Sequence, residues 1–189
     1  MKAAKFTAVL ALALCSASVL AGEIKDSNVQ ADNAKNYSQG SGSHARQWIG
    51  VASGNGSMKN SQVDANNAKN TAEGANSHAH QTVGEVSGNG KIVDTDIRAN
   101  NAQNTSKGTG SRAEQTIGKA SGHGVIKNSS VHADRAVNTS VGMNSKAFQD
   151  IGRVSGNGKI VDSHVHTYQA TNTAGGANST ASQRVGVAQ

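Results

Sequence analysis

Histidine is the residue of this chain with the widest chemistry. Two i, i+2 pairs, His78/His80 and His164/His166, would each present both rings on one side of an extended strand. His44 precedes His78 by 34 residues and His132 precedes His166 by the same interval, so stacking with that period would bring a third imidazole to each pair. Imidazoles so clustered can hold zinc or copper. No cysteine or carboxylate column accompanies them, and histidine is equally one of many polar fillers of solvent-facing positions. No metal site is therefore assigned.

The Ser-Gly-Asn/His-Gly segments, as at Ser53 to Gly56, are rich in backbone donors. A phosphate-binding loop needs a lysine and a hydroxyl after its glycines and a helix beyond. Lys91 and Lys159 follow two of these segments without Ser or Thr, so the segments read as turns. Calcium-binding nonapeptide repeats place aspartate where this loop has asparagine or histidine. The threonines Thr71, Thr105, Thr139 and Thr173 form a column of the kind used for ice binding, interrupted by Tyr37 in the first copy. No Ser, His and Asp set stands outside the repeat pattern, and no catalytic residue or cofactor is assigned.

What remains is the chemistry of the carboxamide. Asn36, Asn70, Asn104, Asn138 and Asn172 recur at one fixed spacing, and so do Gln47, Gln81, Gln115, Gln149 and Gln183. A carboxamide both donates and accepts, so a column of them can bond from layer to layer. Ladders of this kind belong to cross-β stacks and β-solenoids. These ten residues are the expected structural ladder.

The element that must position them is a 34-residue repeat in five copies, 22–55, 56–89, 90–123, 124–157 and 158–189, and repeats decide the architecture before any local reading does. Val29, Val63, Ile97, Val131 and Val165 make one column, and Ala45, Ala79, Ala113, Ala147 and Ala181 another. Ile49, Val83, Ile117, Ile151 and Val185 make a third, each followed by glycine. Residues 1–21 carry Lys2 and Lys5, an apolar run from Phe6 to Leu14 and small residues ending at Ala21, the layout of a secretory signal peptide. Cleavage after Ala21 would set Gly22 in the column of Gly56, Gly90, Gly124 and Gly158, and would leave no cysteine, since Cys15 lies in the removed segment.

Loss of Lys2 and Lys5 lowers the net charge from +6 to +4. The remaining aromatics are Tyr37, Trp48, Phe148 and Tyr168, without the stacking platforms along a basic groove that single-stranded nucleic acid requires. Nucleic acid is not an expected partner. So few large apolar groups cannot build an ordinary globular core, and order must come from stacking.

Alternation of period two appears at Ser27-x-Val29-x-Ala31 and at Ser43-x-Ala45-x-Gln47-x-Ile49, predicting two strands per copy. Glycines at 40, 74, 108, 142 and 176 mark an arch between them. The expected fold is all-β, a repeat β-solenoid or stacked β-arch of five 34-residue layers. Soluble solenoids generally carry capping repeats, and neither end copy departs enough from the consensus to be one. Proline, a common blocker of strand edges, is absent from the chain. End-to-end assembly with itself is thus expected. The alternative is a monomeric solenoid, its edges guarded by charge or by the irregular Arg135 and Gln169, that binds a ligand, a host surface or ice through one flat face.

The run Gly74-Ala75-Asn76-Ser77-His78-Ala79-His80-Gln81 resembles half of a curlin repeat, and Ser61-x-Val63-x-Ala65 its serine-led first strand. The run Asn70 to Asn76 is similar to the N-x-A-x-G-x-N segments of Fap-type fibre subunits. Curlin repeats are shorter, and the cysteine pair of Fap major subunits has no counterpart. The resemblance to bacterial functional amyloids implies secretion through an outer-membrane channel and self-assembly into cell-surface fibres with a nucleator or companion subunit. It further implies a role in adhesion or biofilm matrix.

Overall fold

The computed structural model describes residues 20–88 and 90–188. Most of the expected signal peptide lies outside the described residues. Every element is a β-strand, and every pairing between strands is parallel. The chain is a β-solenoid of about five turns whose successive coils align residue i with residue i+34, as Ala79↔Ala113, Ile97↔Val131 and Asn70↔Asn104 illustrate.

Each coil holds four strands rather than the two expected from alternation. The third coil runs through Lys91–Val93, Asp96–Asn100, Gln103–Lys107 and Arg112–Ala120. Its first and last strands belong to one nine-stranded sheet, here sheet 1, because His44–Lys59 passes without interruption from the last strand of the first coil into the first strand of the second. Sheet 2 stacks Asp96–Asn100 on its equivalents and sheet 3 stacks Gln103–Lys107 on its own.

The extra corners arise at residues in the left-handed region. Asp26, Asn60, Asp94, Asn128 and Asp162 turn the chain from sheet 1 into sheet 2, Asp94 with φ 49°. Asn33, Asn67, Asn101, Arg135 and Gln169 turn it into sheet 3, Asn101 with φ 52°. Asn and Asp tolerate this conformation because their short side chains bond locally. The bend expected before Ala34 is this second corner. Arg135 and Gln169 occupy it with φ 52° and 54°, the same backbone as the asparagines. Arg135 belongs to the fourth coil, inside the stack, and so does not guard an edge.

The glycine columns serve two purposes. At the arch, a Cβ on Gly108 would stand 1.7 Å from the carbonyl oxygen of Gly74, so the coils can approach there only as bare backbone. Within the last strand of each coil Gly118 has φ 63°, and a Cβ on it would stand 2.5 Å from Val131. That kink wraps sheet 1 over the valine column of sheet 2.

The side chains enclosed by the three sheets are the repeat columns themselves. Ile49, Val83, Ile117 and Ile151 pack with Val63, Ile97 and Val131 and with Met58, Ile92 and Ile126 in one continuous apolar column. Full burial of each such side chain contributes about 1.5–3 kcal/mol. Alanines fill the space nearer the arch, where Ala45, Ala72 and Ala79 make a second small cluster. Only small groups fit there, and this leaves room for amides.

Before the first coil the register breaks. Glu23 and Ile24 pair with Ser57 and Met58, in step with the repeat, whereas Leu20 and Ala21 pair with Val51 and Ala52. The irregularity falls between Ala21 and Glu23, where the 34-residue columns begin.

Candidate functional site

The ten expected ladder residues all point inward, in two columns. The asparagines lie on sheet 3. Asn36 Nδ2 donates to Asn70 Oδ1, Asn70 to Asn104, Asn104 to Asn138 and Asn138 to Asn172, each at 2.9 Å. Each Nδ2 also donates across the interior to a sheet 1 carbonyl, as Asn104 does to Glu114 O at 2.7 Å and Asn138 to Phe148 O at 2.8 Å. Because carbonyl groups can only accept, they fix which end of each amide is the donor.

The glutamines lie on sheet 1 and run the other way. Gln81 Nε2 donates to Gln47 Oε1 at 2.7 Å, Gln115 to Gln81 at 2.7 Å and Gln149 to Gln115 at 2.6 Å. Their anchors are the alanine carbonyls just past the second corner, Gln81 to Ala68 O and Gln115 to Ala102 O, both at 3.0 Å. Asparagines thus donate toward the C-terminal coil and glutamines toward the N-terminal coil. Asn70, Asn104 and Asn138 are fully buried, as are Gln81 and Gln149. Buried amides left unpaired would each lose about 1–3 kcal/mol.

The rungs stop at the last coil. Gln183 donates to Ala170 O at 3.3 Å and does not reach Gln149, whose Oε1 is buried without a partner. Gln183 and Ala181 are exposed, and Val185 is 40 % exposed. At the other end, no donor among the described residues reaches Asn36 Oδ1, and Gln47 Nε2 has only Ala34 O, at 3.0 Å.

Outer ladders accompany the inner two. Asn60 donates to Asp26 at 3.1 Å, Asn67 to Asn33 at 3.2 Å, and Asn66 to Asp32 at 2.8 Å. The Asn101 to Asn67 and Asn100 to Asn66 bonds continue two of them. Their signal was the recurrence of Asn and Asp at the corner columns.

The histidines form two stacked pairs and one hydrogen-bonded ring. His44 and His78 stack face to face with centroids 4.9 Å apart, as do His132 and His166. His80 instead bonds Glu114 Oε2 at 3.1 Å and Thr82 Oγ1 at 3.0 Å. Among the described residues no group of three or more His, Cys, Asp or Glu side chains converges on one point. The hydrogen bond from His80, aided by Arg112, holds the Glu114 carboxyl down at about 2 against the opposing effect of its burial. Partial burial, and then the neighbouring His44, lowers the pKa of His78. Arg112 covers the Phe148 ring at 5.3 Å from its centroid. The threonine column is in register, Thr71↔Thr105↔Thr139↔Thr173, but is a single file one residue wide.

This arrangement makes and breaks hydrogen bonds along one axis, and its unfinished bonds lie at the ends. Compared with protein-family models, curated proteins and solved structures, the chain shows no significant match.

Proposed function

We propose that the chain is a secreted structural subunit that stacks end to end into amyloid-like extracellular fibres serving adhesion or a biofilm matrix. The observation that carries this reading is the opposed polarity of the two ladders. The C-terminal coil offers Asn172 as donor and Gln183 as acceptor, whereas the N-terminal coil offers Asn36 Oδ1 as acceptor and Gln47 Nε2 as donor. Head-to-tail contact satisfies both columns at once. Where each column meets its own copy, like ends would set donor against donor and acceptor against acceptor. A head-to-tail contact that does not close generates an open polymer, here by adding layers at about 4.8 Å per coil.

Leu20 and Ala21 lie along His44–Lys59 out of register with the repeat. Cleavage after Ala21 would clear that stretch of edge and confine growth to the exported chain. An outer-membrane channel and a nucleator or companion subunit complete the proposed route.

The test is to purify the chain beginning at Gly22 and follow it by sizing chromatography and electron microscopy over a range of concentrations. Concentration-dependent growth into unbranched filaments is expected. A β-rich monomer of constant size at every concentration would overturn the reading in favour of a solenoid that binds a surface through one face.

A further inference from the structure

Charge is not spread evenly around the solenoid. The first strand of every coil carries one exposed lysine, namely Lys25, Lys59, Lys91, Lys127 and Lys159. They occupy two outward columns on either side of the inward Ile24, Met58, Ile92, Ile126 and Ile160, Lys25, Lys59 and Lys127 in one and Lys91 and Lys159 in the other, whose first coil holds Glu23. None of them has an ion-pair partner among the described residues. Of the other described cations of sheet 1, Lys119 pairs with Glu85, Arg112 with Glu114 and Arg153 with Asp150, whereas Arg46, Lys146 and Arg184 make no ion pair among the described residues.

Past the first corner the sign reverses. Every coil places at least one aspartate on sheet 2 or on the corner leading into it: Asp26 and Asp32, then Asp64, then Asp94 and Asp96, then Asp134, then Asp162. Only Asp96 is ion-paired among them, with Arg98 at 2.5 Å. Three of the others bond neutral amides, Asp26 with Asn60, Asp32 with Asn66 and Asp64 with Gln62. Two stripes of opposite charge therefore run the length of the stack, on opposite sides of one corner, largely uncompensated within the chain.

We infer that the aspartate stripe of one fibre docks on the lysine stripe of a second copy of the same fibre, so that fibres associate side by side with parallel axes. This inference rests on the fibre reading above. Every coil carries a charge of each stripe, the lysines within two neighbouring columns and the aspartates within four, so fibres aligned coil to coil set a lysine-bearing strand beside an aspartate-bearing one in every layer. Each exposed pair is weak alone, but a polymer repeats it in every coil. The two patches differ, so each fibre keeps one stripe free after docking and association continues to a third. An anionic polymer on the lysines would account for one stripe and leave the other without a role.

The test uses filaments grown from the chain beginning at Gly22, with filament formation scored by electron microscopy and bundling scored by low-speed sedimentation. Wild-type filaments should bundle at about 0.01 M salt and disperse at about 1 M, where the screening length falls to about 3 Å. Replacing the five lysines by glutamate should leave single filaments and reduce the pelleted fraction about tenfold at low salt. Replacing Asp26, Asp64, Asp94, Asp134 and Asp162 by lysine should do the same. Combining both sets in one chain should restore bundling, which also shows that the variant chains still fold and stack.

Bundling of either single set at the wild-type level would overturn the inference. Loss with the lysine set alone would overturn it too, and would assign the stripe to an external polyanion. Absence of filaments from the wild type would remove the fibre reading itself, and the inference with it.

Discussion

The third coil and the fifth are built from the same columns and differ in one respect: the third has neighbours on both sides. Asn104 and Gln115 are buried and bonded above and below. In the fifth coil Gln183 is exposed, and Asn172 receives Asn138 without donating onward to another ladder amide. Burial in this molecule is conferred by the adjacent layer. An end coil is therefore an interior coil that lacks a neighbour, and substitutions should separate stability from assembly according to the layer they touch.

The largest effect is expected from Ala79→Asp. Ala79 is 1 % exposed and packed in the small cluster beside the arch, so the change buries a carboxylate without a partner. Such a group costs several kcal/mol or more, and soluble β-structure by circular dichroism should be lost along with filaments.

Asn104→Ala and Asn172→Ala then divide the comparison. Asn104→Ala removes rungs to both neighbours and the bond to Glu114 O, and should destabilise the folded chain by about 1–3 kcal/mol, measured by denaturant titration. Asn172→Ala should change that midpoint little yet slow elongation from seeds, because its unfinished bond matters only when a further coil arrives.

Gly118→Ala comes next. Its left-handed backbone disfavours a side chain by about 1–2 kcal/mol, and the added Cβ would meet Val131 at 2.5 Å. A lower melting temperature with normal filament shape is expected.

Acid should produce the smallest graded effect. The folded state lowers the pKa of both Glu114 and His78. As pH falls through the ordinary histidine range, the unfolded chain takes up the His78 proton first, so stability declines. As it falls further through the ordinary carboxylate range toward about 2, the contribution of ionised Glu114 is lost in the same sense. Glu114→Gln should flatten the lower limb of a melting-temperature profile and, because the Glu114 charge partly offsets the lowering of the His78 pKa, steepen the upper limb.

Much of this architecture was legible in the sequence because identical residues lie over one another. A column such as Val63, Ile97 and Val131 states both the register and the inward face. The amide ladders were legible for the same reason.

The four-strand coil was not. Its corners depend on left-handed backbone at Asp94 and Asn101, and one of the corner columns also accepts Arg135 and Gln169. Alternation alone runs straight through such a bend. Ladder polarity was hidden as well, since it is decided by where backbone carbonyls such as Glu114 O and Ala102 O point. The opposed charge stripes emerge only once the first corner separates Lys25 and Lys59 from Asp32 and Asp64.

The most direct test of the central claim is a thioflavin T time course on the chain beginning at Gly22, with and without sheared filaments as seeds. Templated stacking predicts that seeds shorten or abolish the lag and that the product is filamentous. A lag and plateau indifferent to seeds, or a β-rich monomer that never raises the signal, would contradict it.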